Sequence, residues 1–332
     1  MQVAINVFVY KIHRNLGGFN LAMNKIKNIT VFGPGMMGSG IAQVFAGCEE
    51  LKVTIYIREE IEYSCMNKIK ANLTVMKEKN IITEEEIEKL LGRITLTEDL
   101  VEATKDADFV IECILENMEL KQNLFARLEP LCKDTTIFAT NTSVMSITEI
   151  SEKCKLKSRI VGTHFWNPPY LIPLVEVIKS DFTCEEVMDV TMELLQKVKK
   201  HPIRVNKDVP GFVANRLQHA LWREAISIVE NGIADAATVD EAIKFGFGIR
   251  LPVLGPMENA DMVGTDLTLA IHSYILKHLE NSTEPSPLLK QKVEEGNLGF
   301  KSGKGFQEWT EEEAKASNEG LREYLIKVLY GK

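Results

Sequence analysis

From Ile26 onward, short runs of apolar and β-branched residues alternate with longer stretches whose apolar side chains recur every three or four positions. That alternation predicts strands joined by crossover helices, and hence a parallel sheet. The spacing predicts strands over 29–32, 53–57, 109–113 and 136–140. A long charged stretch from about Ile61 to Leu91 follows the second of these. It breaks at Lys79-Asn80 and restarts at Thr83 with acidic residues in its first turn, so it predicts a helical hairpin projecting from the sheet.

Two further strand-like runs, 160–166 and 174–178, are separated by N-P-P-Y-L-I-P. Three prolines in that loop deny it regular pairing and make it rigid. A helix over 184–199 and a short strand near 203–205 complete this half. After Pro210-Gly211 the character changes, and 212–231, 239–245, 262–279 and 287–295 all carry helical periodicity. The expected organisation is therefore a leader or extended start over 1–24, a sheet-containing unit over 25–207 and a helical unit over 208–332. A chain of 332 residues is long enough to need two cores.

The first strand runs into G-P-G-M-M-G, which is followed by a helical pattern. This is the setting in which G-x-G-x-x-G binds a dinucleotide. Gly33 permits the tight turn, Gly35 lets the backbone approach a pyrophosphate, and Gly38 lets helix and strand pack closely. Met36 and Met37 lie between them and supply the first backbone amides of the helix, whose positive end faces the anion. The fold class is thus α/β, a Rossmann-type doubly wound, mostly parallel sheet with a helical hairpin insertion, plus an all-α C-terminal domain. An acidic side chain at the end of the second strand should accept the ribose hydroxyls, and Glu59 stands 21 residues after Gly38. Its neighbour Arg58 suits a 2′-phosphate instead, so NAD is expected, with NADP as the alternative.

Proton chemistry at an alcohol calls for a base that titrates near neutrality. Of six histidines, His164 alone ends a predicted strand, where an α/β sheet forms its ligand crevice. Glu176, twelve residues on, is the one charged group of L-V-E-V-I. A lone carboxylate in an apolar strand is costly to bury without a partner. If the two strands meet across the proline loop, His164 and Glu176 form either a structural contact or an acid/base dyad. Asn141 and Ser143, in A-T-N-T-S, follow the fourth strand at its crevice end, where Ser143 or Ser146 could equally cap a helix. Asn215 begins the long helix of the second unit.

Forty-seven acidic against thirty-nine basic side chains give a net charge of -8, which argues against nucleic acid as a partner. Six scattered cysteines without metal-like spacing read as reduced thiols of a cytoplasmic protein, and neither a metal site nor a membrane partner is expected.

Taken in order, G-P-G-M-M-G-S-G-I-A-Q-V-F-A, A-T-N-T-S, G-T-H-F-W-N-P, L-V-E-V-I, D-V-P-G-F-V-A-N-R and G-F-K-S-G-K-G-F resemble the successive signatures of the L-3-hydroxyacyl-CoA dehydrogenases. The resemblance runs from about Ile26 to Trp309 and implies an NAD-dependent oxidoreductase of fatty acid metabolism (β-oxidation). It also implies a small-molecule substrate carried as a CoA thioester and a homodimer formed through the helical domain. It makes His164 the catalytic histidine and Glu176 its partner, with Ser143 and Asn215 holding the substrate's oxygen atoms. Asn141 would lie beside the nicotinamide, and Glu116 and Lys121, in E-N-M-E-L-K, would contact the cofactor. The segments N-P-P-Y-L-I-P and G-F-G-I-R-L-P-V-L-G-P are also similar to relatives acting on gulonate or carnitine and to lambda-crystallin. Two alternatives follow: a dehydrogenase of a free hydroxy acid or betaine, and a non-catalytic nucleotide-binding protein.

Overall fold

The computed structural model describes residues 26–58 and 63–331, so the expected leader and Glu59 lie outside the described residues. The chain divides into two compact units, one reaching Pro210 and one beginning at Gly211. Asp208 belongs with the first: its carboxylate accepts from the Ser146 hydroxyl at 2.7 Å and from the Thr148 amide at 2.8 Å.

The first unit is built on one eight-stranded sheet, with strands β1 (Asn28–Phe32), β2 (Lys52–Tyr56), β3 (Ile94–Thr97), β4 (Phe109–Glu112), β5 (Ile137–Thr140), β6 (Ile160–Phe165), β7 (Leu174–Ile178) and β8 (His201–Val205). Their order is β3-β2-β1-β4-β5-β6-β7-β8. β1 to β6 run parallel to one another; β7 is antiparallel to β6, and β8 is parallel to β7. The order turns back at β1 and β4, which is where such a sheet opens its ligand crevice. The central strands are buried on both faces because helices cover both, hence their near-continuous apolar composition.

The helices of this unit are α1 (Met36–Ala46), α2 (Ser64–Glu78), α3 (Glu84–Leu91), α4 (Leu100–Thr104), α5 (Met118–Leu128), α6 (Ile147–Ile150) and α7 (Glu185–Lys197). α1 buries Ile41, Ala42 and Phe45, whose ring lies 6.1 Å from Phe109 and 6.4 Å from Phe165. The expected hairpin is α2 and α3. Asn80 turns the chain at φ 55°, and Thr83 caps α3 in a reciprocal box with Glu86. It does not simply project from the sheet: α2 packs on α1, burying Cys65, Ile69 and Leu73 at helical spacing, and Asn72 donates to Gln43 at 3.0 Å. The periodicity predicts neither β3 nor α4; β3 is an edge strand of the sheet, and its four half-exposed residues leave too little alternation to read.

The second unit consists of α8 (Ala214–Glu230), α9 (Ala236–Phe245), α10 (Pro256–Val263), α11 (Thr265–Ile275), α12 (Pro287–Glu294) and α13 (Glu311–Tyr330). The single helix expected over 262–279 starts instead at Thr265, because Gly264, at φ 101°, breaks the chain between α10 and α11. α13 was not expected from the periodicity; Thr310 caps it in a second reciprocal box, with Glu313.

Candidate active site

The phosphate end of the crevice is glycine-built. Gly33 sits at φ 87°, and a Cβ there would lie 2.6 Å from the Cys113 carbonyl carbon at the exit of β4. A Cβ on Gly38 would lie 2.0 Å from the Gly33 oxygen, so helix and strand meet with no room for a side chain. Gly35, the N-cap of α1, is different: a Cβ there would touch nothing within 4 Å. Its missing side chain serves no internal packing, and the space beside it suits an anion approaching the first amides of α1, from Met36 and Met37. The described residues therefore fit the pyrophosphate of a dinucleotide. Arg58 is exposed at the end of this rim.

Across the crevice, β6 and β7 place His164 directly opposite Glu176 in antiparallel register. The His164 Nδ1 and Glu176 Oε2 are 2.8 Å apart; the imidazole is 5% exposed and the carboxylate not at all. The Trp166 indole N–H also donates to Glu176 Oε2, at 3.4 Å, and its ring centroid lies 5.3 Å from that of His164. A carboxylate held this way assigns the proton to Nδ1 and leaves Nε2 with the lone pair, the form a general base needs. The loop after the histidine is seated by Pro169 against Gly40 of α1, where a Cβ would come within 2.5 Å of the ring, and by Lys200, whose ammonium donates to the carbonyls of Pro169 and Ile172. Burial pulls the Lys200 amine down to about 8.

Asn141 lies between β5 and β6: its Oδ1 accepts from the Phe165 amide at 2.8 Å, while its own amide donates to the Glu112 carbonyl at 2.9 Å. Ser143 is exposed, and its amide donates to Glu116 Oε1 at 2.9 Å. Of the two serines that could cap α6, Ser146 does so, accepting from the Glu149 amide. Asn215 is the second residue of α8, in the other unit.

Glu116 and Lys121 meet at the exit of β4, where Lys121 is buried and Glu116 is exposed. The Lys121 ammonium, with its side chain 1% exposed, lies 2.7 Å from Glu112 Oε1 and 3.2 Å from Glu116 Oε2. It reaches the crevice through Glu116, not through an exposed ammonium. Glu116 Oε1 accepts from the Thr142 hydroxyl as well as from the Ser143 amide. Burial alone would raise the Glu116 carboxyl, but the Thr142 hydroxyl, the Lys121 charge and the Ser143 amide together hold it below the usual carboxylate range. Burial pushes Glu112 upward, partly offset by Lys121, Thr140 and the Ile114 amide. Glu112, Thr142 and Trp166 are the members of this site that the motifs do not single out. Among the described residues no group of three or more His, Cys, Asp or Glu side chains could hold a metal ion, and no helix is long and apolar enough to cross a membrane.

Comparison with known proteins gives a consistent picture. The family model of the 3-hydroxyacyl-CoA dehydrogenase NAD binding domain matches residues 28–209, and that of the 3-hydroxyacyl-CoA dehydrogenase C-terminal domain matches 211–309. A probable 3-hydroxybutyryl-CoA dehydrogenase of Bacillus subtilis is 38% identical over 288 residues, covering 86% of this chain and 99% of that protein. The crystal structure of an NAD+ dependent dismutase, 5-formyl-3-hydroxy-2-methylpyridine 4-carboxylic acid 5-dehydrogenase, superposes with a TM-score of 0.83 at 31% identity, covering 91% and 97% of the two chains. For (S)-3-hydroxybutyryl-CoA dehydrogenase of Ralstonia eutropha the TM-score is 0.73 at 30% identity, with 86% and 99% covered.

Proposed function

The chain belongs to the 3-hydroxyacyl-CoA dehydrogenase family of NAD-dependent oxidoreductases, and from that premise we propose that it oxidises an L-3-hydroxyacyl-CoA to the 3-ketoacyl form, or runs the reverse reduction. The observation that carries this reading is the 2.8 Å bond between a nearly buried imidazole and a fully buried carboxylate at the crevice end of β6. NAD, when bound, supplies the hydride acceptor. His164 Nε2 takes the hydroxyl proton, and Glu176 stabilises the imidazolium that results. Ser143 and Asn215 hold the substrate's oxygen, and Asn141, its carbonyl oxygen spent on Phe165, offers its amide N–H groups to the nicotinamide side. Gly33, Gly35 and Gly38, with the Met36 and Met37 amides, cradle the pyrophosphate; Glu116 faces the cofactor and Lys121 holds it there. Glu59, outside the described residues, is by its place in the sequence the residue assigned to the ribose hydroxyls.

A second reading, a small free carboxylic acid in place of the thioester, is favoured by the higher TM-score and longer coverage for the pyridine carboxylate enzyme. A substrate panel separates the two. With NADH, acetoacetyl-CoA should be reduced at least about tenfold more efficiently than free acetoacetate or a formylpyridine carboxylate, since the carrier's binding energy is spent on orienting the reacting carbon. Preference for the free acids would replace the thioester reading with the second one.

The same reading includes a homodimer. No residue of α9, α10, α11 or α12 is buried, and Phe245, Val253, Met257, Leu269 and Tyr274 are each more than two-thirds exposed. Apolar surface on that scale is what a second copy covers. Size-exclusion chromatography with light scattering should give twice the chain's mass, and Leu269→Glu should shift the species toward the monomer; a monomeric parent would remove the dimer. The six cysteines are free thiols, which supports a reducing, cytoplasmic setting.

A further inference from the structure

Glu112 is an unusual residue to find at the end of a central parallel strand. Its neighbours Val110 and Ile111 are apolar, and it is paired in register with Phe32 at the end of β1 and Thr140 at the end of β5, at the point where the strand order turns back. The carboxylate has no exposure, and burying one costs several kcal/mol unless every lone pair is met. Here both oxygens are met. Oε1 accepts from the Ile114 amide and from Lys121, each at 2.7 Å, and Oε2 accepts from the Thr140 hydroxyl at 2.7 Å.

Two of these bonds, those to Thr140 and Lys121, lead toward the same loop. The Glu112 carbonyl holds the Asn141 amide, and its side chain holds Thr140. Lys121 passes the connection to Glu116, whose other oxygen fixes the Thr142 hydroxyl and the Ser143 amide. Four consecutive residues, 140 to 143, are thus tied to one strand end, two directly and two through a buried ammonium. A strand end needing only packing would use an aliphatic side chain, as its two predecessors do, and avoid the desolvation cost.

We propose that Glu112 is a positioning residue for the reaction: its Oε1 seats Lys121, Lys121 seats Glu116, and Glu116 fixes the turn that carries Ser143 toward the substrate. This rests on the dehydrogenase reading for its consequence, but the positioning can be read in the cofactor-free protein. Amide hydrogen exchange over residues 141–146 is the direct measurement. Glu112→Met, which removes every side-chain acceptor, and Lys121→Met, which removes the link, should each speed exchange there by about tenfold or more, as expected when a local opening becomes tenfold easier. Glu112→Gln keeps the Oε1 acceptor and should stay near the parent rate. Thr136→Val loses a buried hydrogen bond to Ala107 at the far end of β5 and serves as the control, loosening the fold without touching the relay. Adding Glu112→Gln to Lys121→Met should change nothing further.

In turnover, kcat should follow the same order, Glu112→Met falling about tenfold with Glu112→Gln close to parent. Parent-like exchange in Lys121→Met would overturn the relay, as would equal effects from Thr136→Val; should Glu112→Met fail to fold, the Lys121→Met and double-variant comparison decides alone. A parent enzyme that turns over neither thioester nor free acid would sink the dehydrogenase reading and leave the exchange result standing.

Discussion

Replacing His164 with glutamine should lower kcat by about 10²-fold or more while NADH binds within a few-fold of its parent affinity. Glutamine keeps a polar head that can still reach Glu176 Oε2, so the buried carboxylate is not left without a donor and the fold should survive. What disappears is the nitrogen that accepts a proton. Because the dinucleotide cradle is formed by α1 and the exits of β1 and β4, not by β6, cofactor affinity measured by NADH fluorescence should barely move. Glu176→Gln should also slow the reaction, by about 10²-fold, since a neutral amide neither enforces the Nδ1–H tautomer nor stabilises an imidazolium. The double variant should be little slower than His164→Gln alone, because the two groups act as a unit. Turnover at the parent rate in His164→Gln would take this histidine out of the mechanism.

That pair was legible in the chain because a period of two and a proline-rich loop between two short strands leave few ways for them to meet. Antiparallel register then brings residues 164 and 176 face to face. The glycine cradle was legible for a similar reason, since its chemistry lies within six consecutive residues. The Glu112 cluster was not. In F-V-I-E the glutamate reads as the polar end of a strand, and its partner Lys121 is nine residues away on the next helix, α5, at a separation no local periodicity encodes. Trp166 and Thr142 were missed on the same grounds: each acts on a residue from a different strand or loop, so its role exists only once the sheet has formed. α13 was readable in part: Leu321, Tyr324, Leu325 and Val328 recur at helical spacing, but its first half is polar and its capping box alone is a weak signal.

The three glycines of the cradle should separate experimentally into two kinds, because the space around them differs. Alanine at Gly35 meets no protein atom and the backbone there, at φ -68°, is open to any residue, so the urea midpoint of Gly35→Ala should equal the parent's. The added methyl instead occupies the space the pyrophosphate needs, and NADH should bind at least about tenfold more weakly, a loss of about 1.4 kcal/mol. Gly38→Ala places its methyl 2.0 Å from the Gly33 carbonyl oxygen, an atom of backbone that cannot rotate away. Helix and strand must move apart, so overpacking of about 1–3 kcal/mol should appear in the urea midpoint, and binding should fall with it because the displaced turn carries the amides that meet the anion. Gly33→Ala adds a left-handed backbone to the same kind of clash and should be no milder. If Gly35→Ala bound NADH as tightly as the parent, the open space beside that glycine would not be where the phosphates lie, and the cradle would have to be sought at another edge of the crevice.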